Sequence, residues 1–246
     1  MRLAILSDIH GNICGLEKVY SKCKSIGFDE IIFLGDLCTL GPNPKQVSKF
    51  LFEKNIKPIL GNHDEYMFHE ESIYSYTREP IIVKSILWAK NELSSSTLDA
   101  IQKFPRTLSI NYSNTKSILF YHGSPKCSTD LILSETSNET ISEYFDGFSE
   151  NILIGGHTHI QMLKRFTDKT LVNPGSIGQP FQANPKSSSP PVLLPWAEFC
   201  IISLEKDNFS VEFYQLEYDL REYIQLIKDS SLPLKNWLAL QYQGIL

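Results

Sequence analysis

The chain has 246 residues, of which 42% are hydrophobic and 11% aromatic, and it carries a formal net charge of −5. This hydrophobic content suits a full core and argues against disorder. The acidic balance lacks the basic footprint that most nucleic-acid-binding proteins carry. The length lies within the single-domain range for α/β proteins, so we predict one domain over residues 1–246.

The cysteine usage and the apolar runs predict the cellular compartment. The five cysteines form no CxxC pair, which is typical of reduced thiols in a reducing compartment. Asp8 and His10 interrupt the apolar N-terminus before the core of a signal peptide could form. No stretch approaches the roughly 18 apolar residues of a membrane span. We therefore expect a cytoplasmic protein without a membrane partner.

The first part of the chain alternates predicted strands and helices. Continuous apolar runs at residues 3–7 and 31–34 predict strands that are covered on both faces. Helical spacing predicts a helix between them that ends at Gly27, and a second helix that leads to a strand at residues 56–60. The residues at helical spacing are Leu16, Val19, Tyr20 and Cys23 in the first helix and Val47, Phe50 and Leu51 in the second.

Residues 65–105 change in character and predict two or three helices. Two placements are open for this segment. It either covers the strand-end edge of the sheet as a lid or forms a helical layer under the sheet, and the sequence favours neither.

The second half predicts further strands, a long loop and a helical tail. Residues 182–195 contain four prolines and three serines and predict an unusually long loop. Residues 216–246 are expected to form the tail, with an amphipathic helix through Leu220, Tyr223, Ile224 and Ile227. The predicted strands lie at residues 107–121, with a turn at 111–116, and at 151–154, 170–172, 199–203 and 210–215.

Five of the six histidines fall into short motifs, and each motif directly follows a predicted strand. The motifs are DIH, GD, GNHD, HG and GGHTH, in chain order. In an open α/β sheet such strand ends share one edge, where ligands bind in the crevice. The sequence therefore predicts one cluster of candidate metal ligands, formed by Asp8, His10, Asp36, Asn62, His122, His157 and His159.

The chemistry of this set predicts two metal ions. Oxygen and imidazole donors without a thiolate suit Mn, Fe or Zn and disfavour a structural zinc site or a calcium cage. Seven side chains are too many for one ion, so we expect two ions that share Asp36. Such a centre attracts phosphate and generates a nucleophilic hydroxide between the metals. We expect Mn first, with Fe, Zn or Ni as alternatives.

Three further residues are candidates for roles beside the metals. His63 follows Asn62, so its ring should diverge from the ions toward the substrate, where it could protonate the departing oxygen. Asp64 either orients His63 as part of the catalytic group or serves as a helix N-cap. Asn12 either contacts the substrate or stabilises its own loop.

Taken together, these motifs resemble the calcineurin-like metallophosphoesterase superfamily. Residues 173–180, which read NPGSIGQP, resemble a further signature of its small bacterial and archaeal phosphodiesterase-like branch. The resemblance covers residues 1–180, and segments 217–219 and 231–233 also look like longer members of that branch. It implies a mixed α/β fold, a four-layer αββα sandwich in which two mixed β-sheets pack face to face with helices outside.

The resemblance also implies a role for each candidate residue. His63 matches the proton donor of the family. The first metal would be held by Asp8, His10, Asp36 and His159, and the second by Asp36, Asn62, His122 and His157.

Departures from the family pattern narrow the substrate. Protein phosphatases of the superfamily read GDxxDRG after the second strand, whereas residues 35–41 read GDLCTLG here. The missing Asp and Arg argue against a Ser/Thr protein phosphatase and against a diadenosine tetraphosphatase that keeps this motif. Phe181 stands where relatives often carry a basic residue.

The leading hypothesis is a dinuclear metal-dependent phosphoesterase for a phosphodiester or a small phosphomonoester. We expect its partner to be a small phosphorylated substrate or nucleotide, with no stable binding of nucleic acid. One alternative is a silent scaffold of the same fold, as in the phosphoesterase-like subunit of retromer, although His63 and all seven ligands are present. The others are a nucleotide-binding sensor and a repair-nuclease relative. The sequence leaves the oligomeric state open.

Overall fold

A computed structural model describes residues 1–183 and 191–243 of the chain. Within those residues the strands are β1 (Arg2–Leu6), β2 (Glu30–Phe33), β3 (Lys57–Pro58), β4 (Leu108–Asn111), β5 (Ser117–Phe120), β6 (Ile152–Ile154), β7 (Met162–Phe166), β8 (Lys169–Asn173), β9 (Ala197–Glu205) and β10 (Asn208–Leu216). The helices are α1 (Ile13–Ile26), α2 (Pro44–Glu53), α3 (Asn62–Glu65), α4 (Glu70–Tyr76), α5 (Pro80–Glu92), α6 (Ser95–Ile101), α7 (Asn138–Tyr144), α8 (Leu220–Asp229) and α9 (Lys235–Gln243).

The strands form two five-stranded sheets, and both sheets are mixed. The first has the order β10-β9-β1-β2-β3, in which β1, β2 and β3 are parallel and β9 and β10 are antiparallel. The second has the order β4-β5-β6-β8-β7, with a parallel centre and an antiparallel strand at each edge. The parallel strands of each sheet end at one edge, as the sequence predicted.

Alternating side chains of β1 show how the layers are built. Leu3 and Ile5 lie in the core between the two sheets, together with Ile118 and Phe120 of β5. Ala4 and the other outward residues pack instead against the helices on the far side of the first sheet. Full burial of one such side chain stabilises the fold by about 1.5–3 kcal/mol. Both faces of β1 are therefore covered, and its sequence is continuously apolar for that reason.

Helices cover the outer face of each sheet and complete the predicted αββα sandwich. Helix α1 buries Leu16 and Val19 against the first sheet. It ends at Gly27, which adopts a φ of 84° without steric penalty because it has no Cβ. Helix α7 and the residue after it pack Ile141 and Phe145 on the outer face of the second sheet. The predicted fold class is confirmed.

The segment 65–105 is helical and is packed on two sides. Leu93 and Ile101 belong to the cluster beneath α2, whereas Ile73 and Ile86 pack against the tail helices α8 and α9. The segment thus packs beside α2 and beside the tail helices, and its Tyr76 and Ile82 line the cavity at the ligand cluster described below. A role of the segment as a lid stays a prediction.

Some strand predictions were wrong in their bounds. Strand β7 was missed, because its Lys164 and Arg165 obscure the alternation of an edge strand that pairs with β8 alone. The strand predicted at residues 56–60 shortens to Lys57–Pro58 at the edge of the first sheet, although the N–H of Ile59 still donates to the Phe33 carbonyl at 2.7 Å. The long loop predicted at residues 182–195 includes residues 184–190, which lie outside the described residues. Within the described chain, no helix is long and apolar enough to cross a membrane.

Candidate metal centre

The seven candidate ligands all lie just beyond the ends of parallel strands. Six are buried and His157 is partly exposed. Because both sheets present these strand ends at the same edge, residues far apart in sequence become neighbours. Asp8 and His10 follow β1, Asp36 follows β2, Asn62 follows β3, His122 follows β5, and His157 and His159 follow β6.

The ligands form two adjacent groups. One comprises Asp8, His10 and His159, and the other Asp36, His122 and His157; within each group the ligand atoms lie within 4.8 Å of one another. Each group supplies one carboxylate and two imidazoles. Asn62 borders the second group, because its Oδ1 lies 2.9 Å from Nε2 of His122.

Asp36 lies between the two groups. Its Oδ2 is 3.7 Å from Nε2 of His10 in the first group and 3.3 Å from Nε2 of His122 in the second. Its Oδ1 accepts a hydrogen bond of 2.8 Å from the backbone N–H of His63, which fixes the carboxylate plane. This position is the one expected of a carboxylate shared by two ions.

Backbone carbonyls fix the imidazole rings. Nδ1 of His10 lies 3.2 Å from the carbonyl oxygen of Thr39, and Nδ1 of His122 lies 2.6 Å from the carbonyl oxygen of Leu34. Nδ1 of His159 lies 2.7 Å from the carbonyl oxygen of Gln179. Because a carbonyl can only accept, each Nδ1 carries a proton, which leaves Nε2 as the nitrogen that could bind a metal. In metalloproteins generally, a hydrogen bond from the ring nitrogen that does not bind the metal orients the histidine ligand.

The backbone of the cluster is strained. Five of the seven candidate ligands have a positive φ between 44° and 69°, a region that residues with a Cβ seldom adopt. Each such residue costs of the order of 1–3 kcal/mol and persists where its surroundings over-determine it, most often at functional sites. The five are Asp8, His10, Asp36, His157 and His159.

Charges inside the cluster keep the carboxylates ionised. Burial alone would raise the pKa of Asp8, but the neighbouring His159 and His122 hold that pKa at about 2. Burial likewise opposes ionisation of Asp36, and His122 beside it keeps the pKa of Asp36 well below its usual range. The same pair acts in reverse on His122, whose pKa Asp36 raises to about 10 against the effect of burial. The cluster therefore favours bound positive charge.

The donor set fits divalent cations. Oδ1 of Asp8 is buried, and no described group donates a hydrogen bond to it, although Nε2 of His159 lies 3.2 Å away. Oδ2 of the same carboxylate accepts from Ser7 and from the N–H of His157. A buried anionic oxygen without a hydrogen-bond donor is costly, so such oxygens are paired with positive charges or coordinate metals. Two groups of carboxylate and imidazole around a shared aspartate match the ligand chemistry of Mn, Fe or Zn.

His63 lies beside the ligands without belonging to either group. Its ring is packed among three others, at centroid distances of 5.1 Å from His10, 5.2 Å from Tyr66 and 5.1 Å from Tyr76. Its Nδ1 forms a hydrogen bond of 2.8 Å with Oγ1 of Thr39. Burial lowers the pKa of His63 to about 3, so a proton on this ring requires a nearby negative charge such as a phosphate.

Asp64 lies behind the centre, bound to backbone. Its carboxylate accepts hydrogen bonds of 2.9–3.0 Å from the N–H groups of Asp36, Leu37 and Gly61. These contacts correspond to the capping role, and the side chain that meets the His63 ring is that of Thr39 instead. The structure thus does not support direct orientation of His63 by Asp64. Sequence reasoning missed Thr39, because a loop threonine carries no signal of its own.

Asn12 is used by the fold. Its Oδ1 accepts from the N–H of Gly15 at the start of α1, and its Nδ2 donates to the hydroxyl of Tyr218 in the tail at 3.0 Å. Of the two roles considered, these contacts correspond to loop stabilisation, and they link the DIH motif to the C-terminal region. They leave the expected substrate contact without support.

A cavity of about 390 Å³ opens onto the cluster. His10, Asp36, His63, Tyr76 and Phe181 form part of its wall. The Phe181 ring stacks on that of His159 at a centroid distance of 4.4 Å. The aromatic lining from Tyr76 was not predicted, because helical spacing in residues 65–105 does not reveal which side chain faces another element.

These features define a metal-binding phosphoesterase fold, and the sequence agrees. Residues 1–189 match the model of the calcineurin-like phosphoesterase superfamily domain, and the chain belongs to that family.

Similar proteins span nearly the whole chain. The uncharacterised protein MJ0912 of Methanocaldococcus jannaschii is 28% identical over 254 aligned positions, which cover 96% of this chain and 95% of that protein. A crystal structure of a metallophosphoesterase from Sphaerobacter thermophilus superposes with a TM-score of 0.74 at 23% identity, covering 98% of both chains. The hypothetical protein PH1004 from Pyrococcus horikoshii OT3 gives a TM-score of 0.75 at 20% identity, covering 95% of this chain and 96% of that one. The two structures show that the fold is shared along its full length.

Proposed function

We propose that the protein hydrolyses a phosphodiester or a small phosphomonoester at a dinuclear metal centre, with Mn²⁺ as the first candidate ion. The observation that carries the proposal is the pair of adjacent ligand groups with Asp36 between them. Family membership supports metal-dependent phosphoester hydrolysis in general. The two-ion centre, the identity of the ions and the substrate are parts of the proposal.

The ligand assignment follows the two groups. Asp8, His10 and His159 would hold one ion, and His122 and His157, with Asn62 beside them, would hold the other. Asp36 would contact both. When bound, two such ions lower the pKa of a water molecule and stabilise the charge of the attacking and leaving oxygens.

The protein's own groups would then orient the ester and supply a proton. His63 faces the cavity from the side of the first group, and its Nδ1 is engaged by Thr39. A phosphoryl group in the cavity would place negative charge beside this ring and favour its protonated form, against the effect of burial. From there His63 would hold a proton for the leaving oxygen, while Nδ1 keeps the ring in position.

The test compares two chromogenic esters. Protein stripped of metal is assayed with bis-p-nitrophenyl phosphate and with p-nitrophenyl phosphate, before and after addition of Mn²⁺, and bound metal is counted by mass spectrometry. We expect turnover that requires metal and reaches its maximum near two ions per chain. Preference for the diester identifies a phosphodiesterase, and preference for the monoester a small-molecule phosphatase. Two bound ions without turnover of either ester would contradict the proposal and favour a scaffold or sensor.

A further inference from the structure

A second cavity of about 390 Å³ adjoins the one at the ligand cluster. The two cavities share part of their walls and so are immediate neighbours, and together they are called the cleft below. The shared residues are Leu40, Tyr76, Ile82, Gln179, Phe181 and Pro191. Each volume is within the range of about 300–1,000 Å³ that is typical of small-molecule sites. A ligand held at the metal centre can therefore extend into the second cavity.

The second cavity is mainly apolar, and three of its eleven described lining residues are aromatic. Beyond the shared wall it is lined by Ile81, Leu193, Leu234 and Trp237, with Glu79 as the one charged side chain among its described lining residues. No Lys or Arg occurs among the described residues that line either cavity. Among these described residues a second phosphate would meet no positive charge, and Glu79 would repel it.

The walls of the second cavity include a strained leucine and exposed apolar side chains. Leu40 has a φ of 66°, and its carbonyl accepts a hydrogen bond of 3.0 Å from Nε2 of Gln179. A left-handed leucine is costly and marks positions that their surroundings hold in place, often at ligand sites. Tyr76 is 45% exposed and Ile81 is 42% exposed at the rim. Contiguous apolar surface of this kind, beside a polar centre, marks ligand-binding grooves.

We infer that this apolar cavity binds the organic group of the ester, and that the substrate carries an uncharged aromatic group rather than a second phosphate. This inference rests on the proposed function, because it places the phosphoryl group at the metal centre. Tyr76, Phe181 and Trp237 supply the aromatic faces, and offset or edge contacts with such rings favour an aromatic ligand over an aliphatic one.

The kinetic test uses two diesters that share a non-aromatic leaving group, methyl 2,2,2-trifluoroethyl phosphate and 1-naphthylmethyl 2,2,2-trifluoroethyl phosphate, and release of trifluoroethanol is followed by fluorine NMR. The measured ratio is kcat/KM of the naphthyl ester divided by kcat/KM of the methyl ester, in Mn²⁺-loaded wild-type protein and in Mn²⁺-loaded Trp237→Ala. We expect this ratio to fall about ten-fold or more in the variant, through a higher KM for the naphthyl ester, since uniform binding is lost. The intrinsic reactivities of the esters cancel in this comparison. Ile81→Asp, at an exposed position, should lower the ratio in the same direction if Trp237→Ala fails to fold.

The matched control is Leu240→Asp. Leu240 is 64% exposed on α9, the helix that carries Trp237, and it does not line the cavity. This variant should keep the wild-type ratio. An unchanged ratio in both Trp237→Ala and Ile81→Asp, with turnover of the methyl ester retained, would overturn the inference and leave the proposed function standing.

Binding measurements separate the two proposals. Calorimetry of 1-naphthylmethylphosphonate and methylphosphonate needs no turnover, and we expect the naphthyl compound to bind at least ten-fold more tightly, with the advantage reduced in Trp237→Ala. If neither ester is hydrolysed but this preference holds, the proposed function fails and the aromatic site stands. Equal binding of both phosphonates would overturn the aromatic site. Dimerisation that Trp237→Ala abolishes would also overturn it, by assigning the cavity to a second copy of the chain.

Discussion

Replacing Thr39 with valine removes the hydroxyl group that meets Nδ1 of His63 at 2.8 Å, while the shape of the buried side chain is nearly kept. A hydrogen bond of this kind contributes about 0.5–1.5 kcal/mol. If it positions His63 for proton transfer, its loss lowers kcat by about 2- to 13-fold. Metal content should not change, because the contact of Thr39 with His10 is made by the backbone carbonyl.

A double-mutant cycle tests whether Thr39 acts through His63. His63→Ala should retain metal and lose about 10²–10⁴-fold in turnover, as expected for a proton donor. Thr39→Val added to His63→Ala should cost nothing further, because the group that it positions is gone. The assay is hydrolysis of the preferred nitrophenyl ester at two bound ions, and Thr39→Ser, which keeps the hydroxyl, is the control. Additive losses in the double variant would refute the positioning role, and loss of metal in His63→Ala would refute its placement outside the ligand groups.

Three further substitutions test other parts of the centre. Asp36→Asn removes the charge shared by the two groups and should weaken binding of both ions, measured by metal analysis after dialysis; unchanged metal content would argue against the shared ligand. Asp64→Ala leaves three buried backbone N–H groups without their acceptor and should destabilise the metal-free protein by about 3 kcal/mol or more, read from urea unfolding with the exposed Asp99→Ala as control; equal midpoints would exclude the structural role. His69→Ala should be nearly silent in turnover, since its side chain is 61% exposed; a large loss would show that this residue enters the reaction.

The ligand cluster could be predicted because its signals are local. Each motif follows a short apolar run, and the rule that parallel strands end at one edge brings distant motifs together without knowledge of the packing. The arrangement of two mixed sheets was predicted from the family resemblance. Strand β7 was missed because it lies at a sheet edge, where Lys164 and Arg165 interrupt the apolar run that marks a buried strand.

The supporting contacts could not be predicted, because they depend on how loops pack. Thr39 reaches His63 across 24 residues of sequence, and Asn12 reaches Tyr218 across 206. Asp64 was weighed between two roles, and the choice depends on which N–H groups surround it in the folded chain. The helical segment presents Tyr76 to the cleft for a similar reason: spacing defines its buried face, not the element that this face meets.

The left-handed backbone at the first two candidate ligands is held by hydrogen bonds of the main chain. The N–H of Asp8 donates to Gly35 and the N–H of His10 donates to the Asp36 carbonyl, so neighbouring strand ends fix these conformations through the main chain. Those bonds exist once β1 and β2 lie side by side, and they need no cation. The conformations of Asp8 and His10 therefore depend on the pairing of β1 with β2 and not on the chemistry of their side chains. A side chain at either position could be exchanged while the strand end that carries it keeps its main-chain bonds.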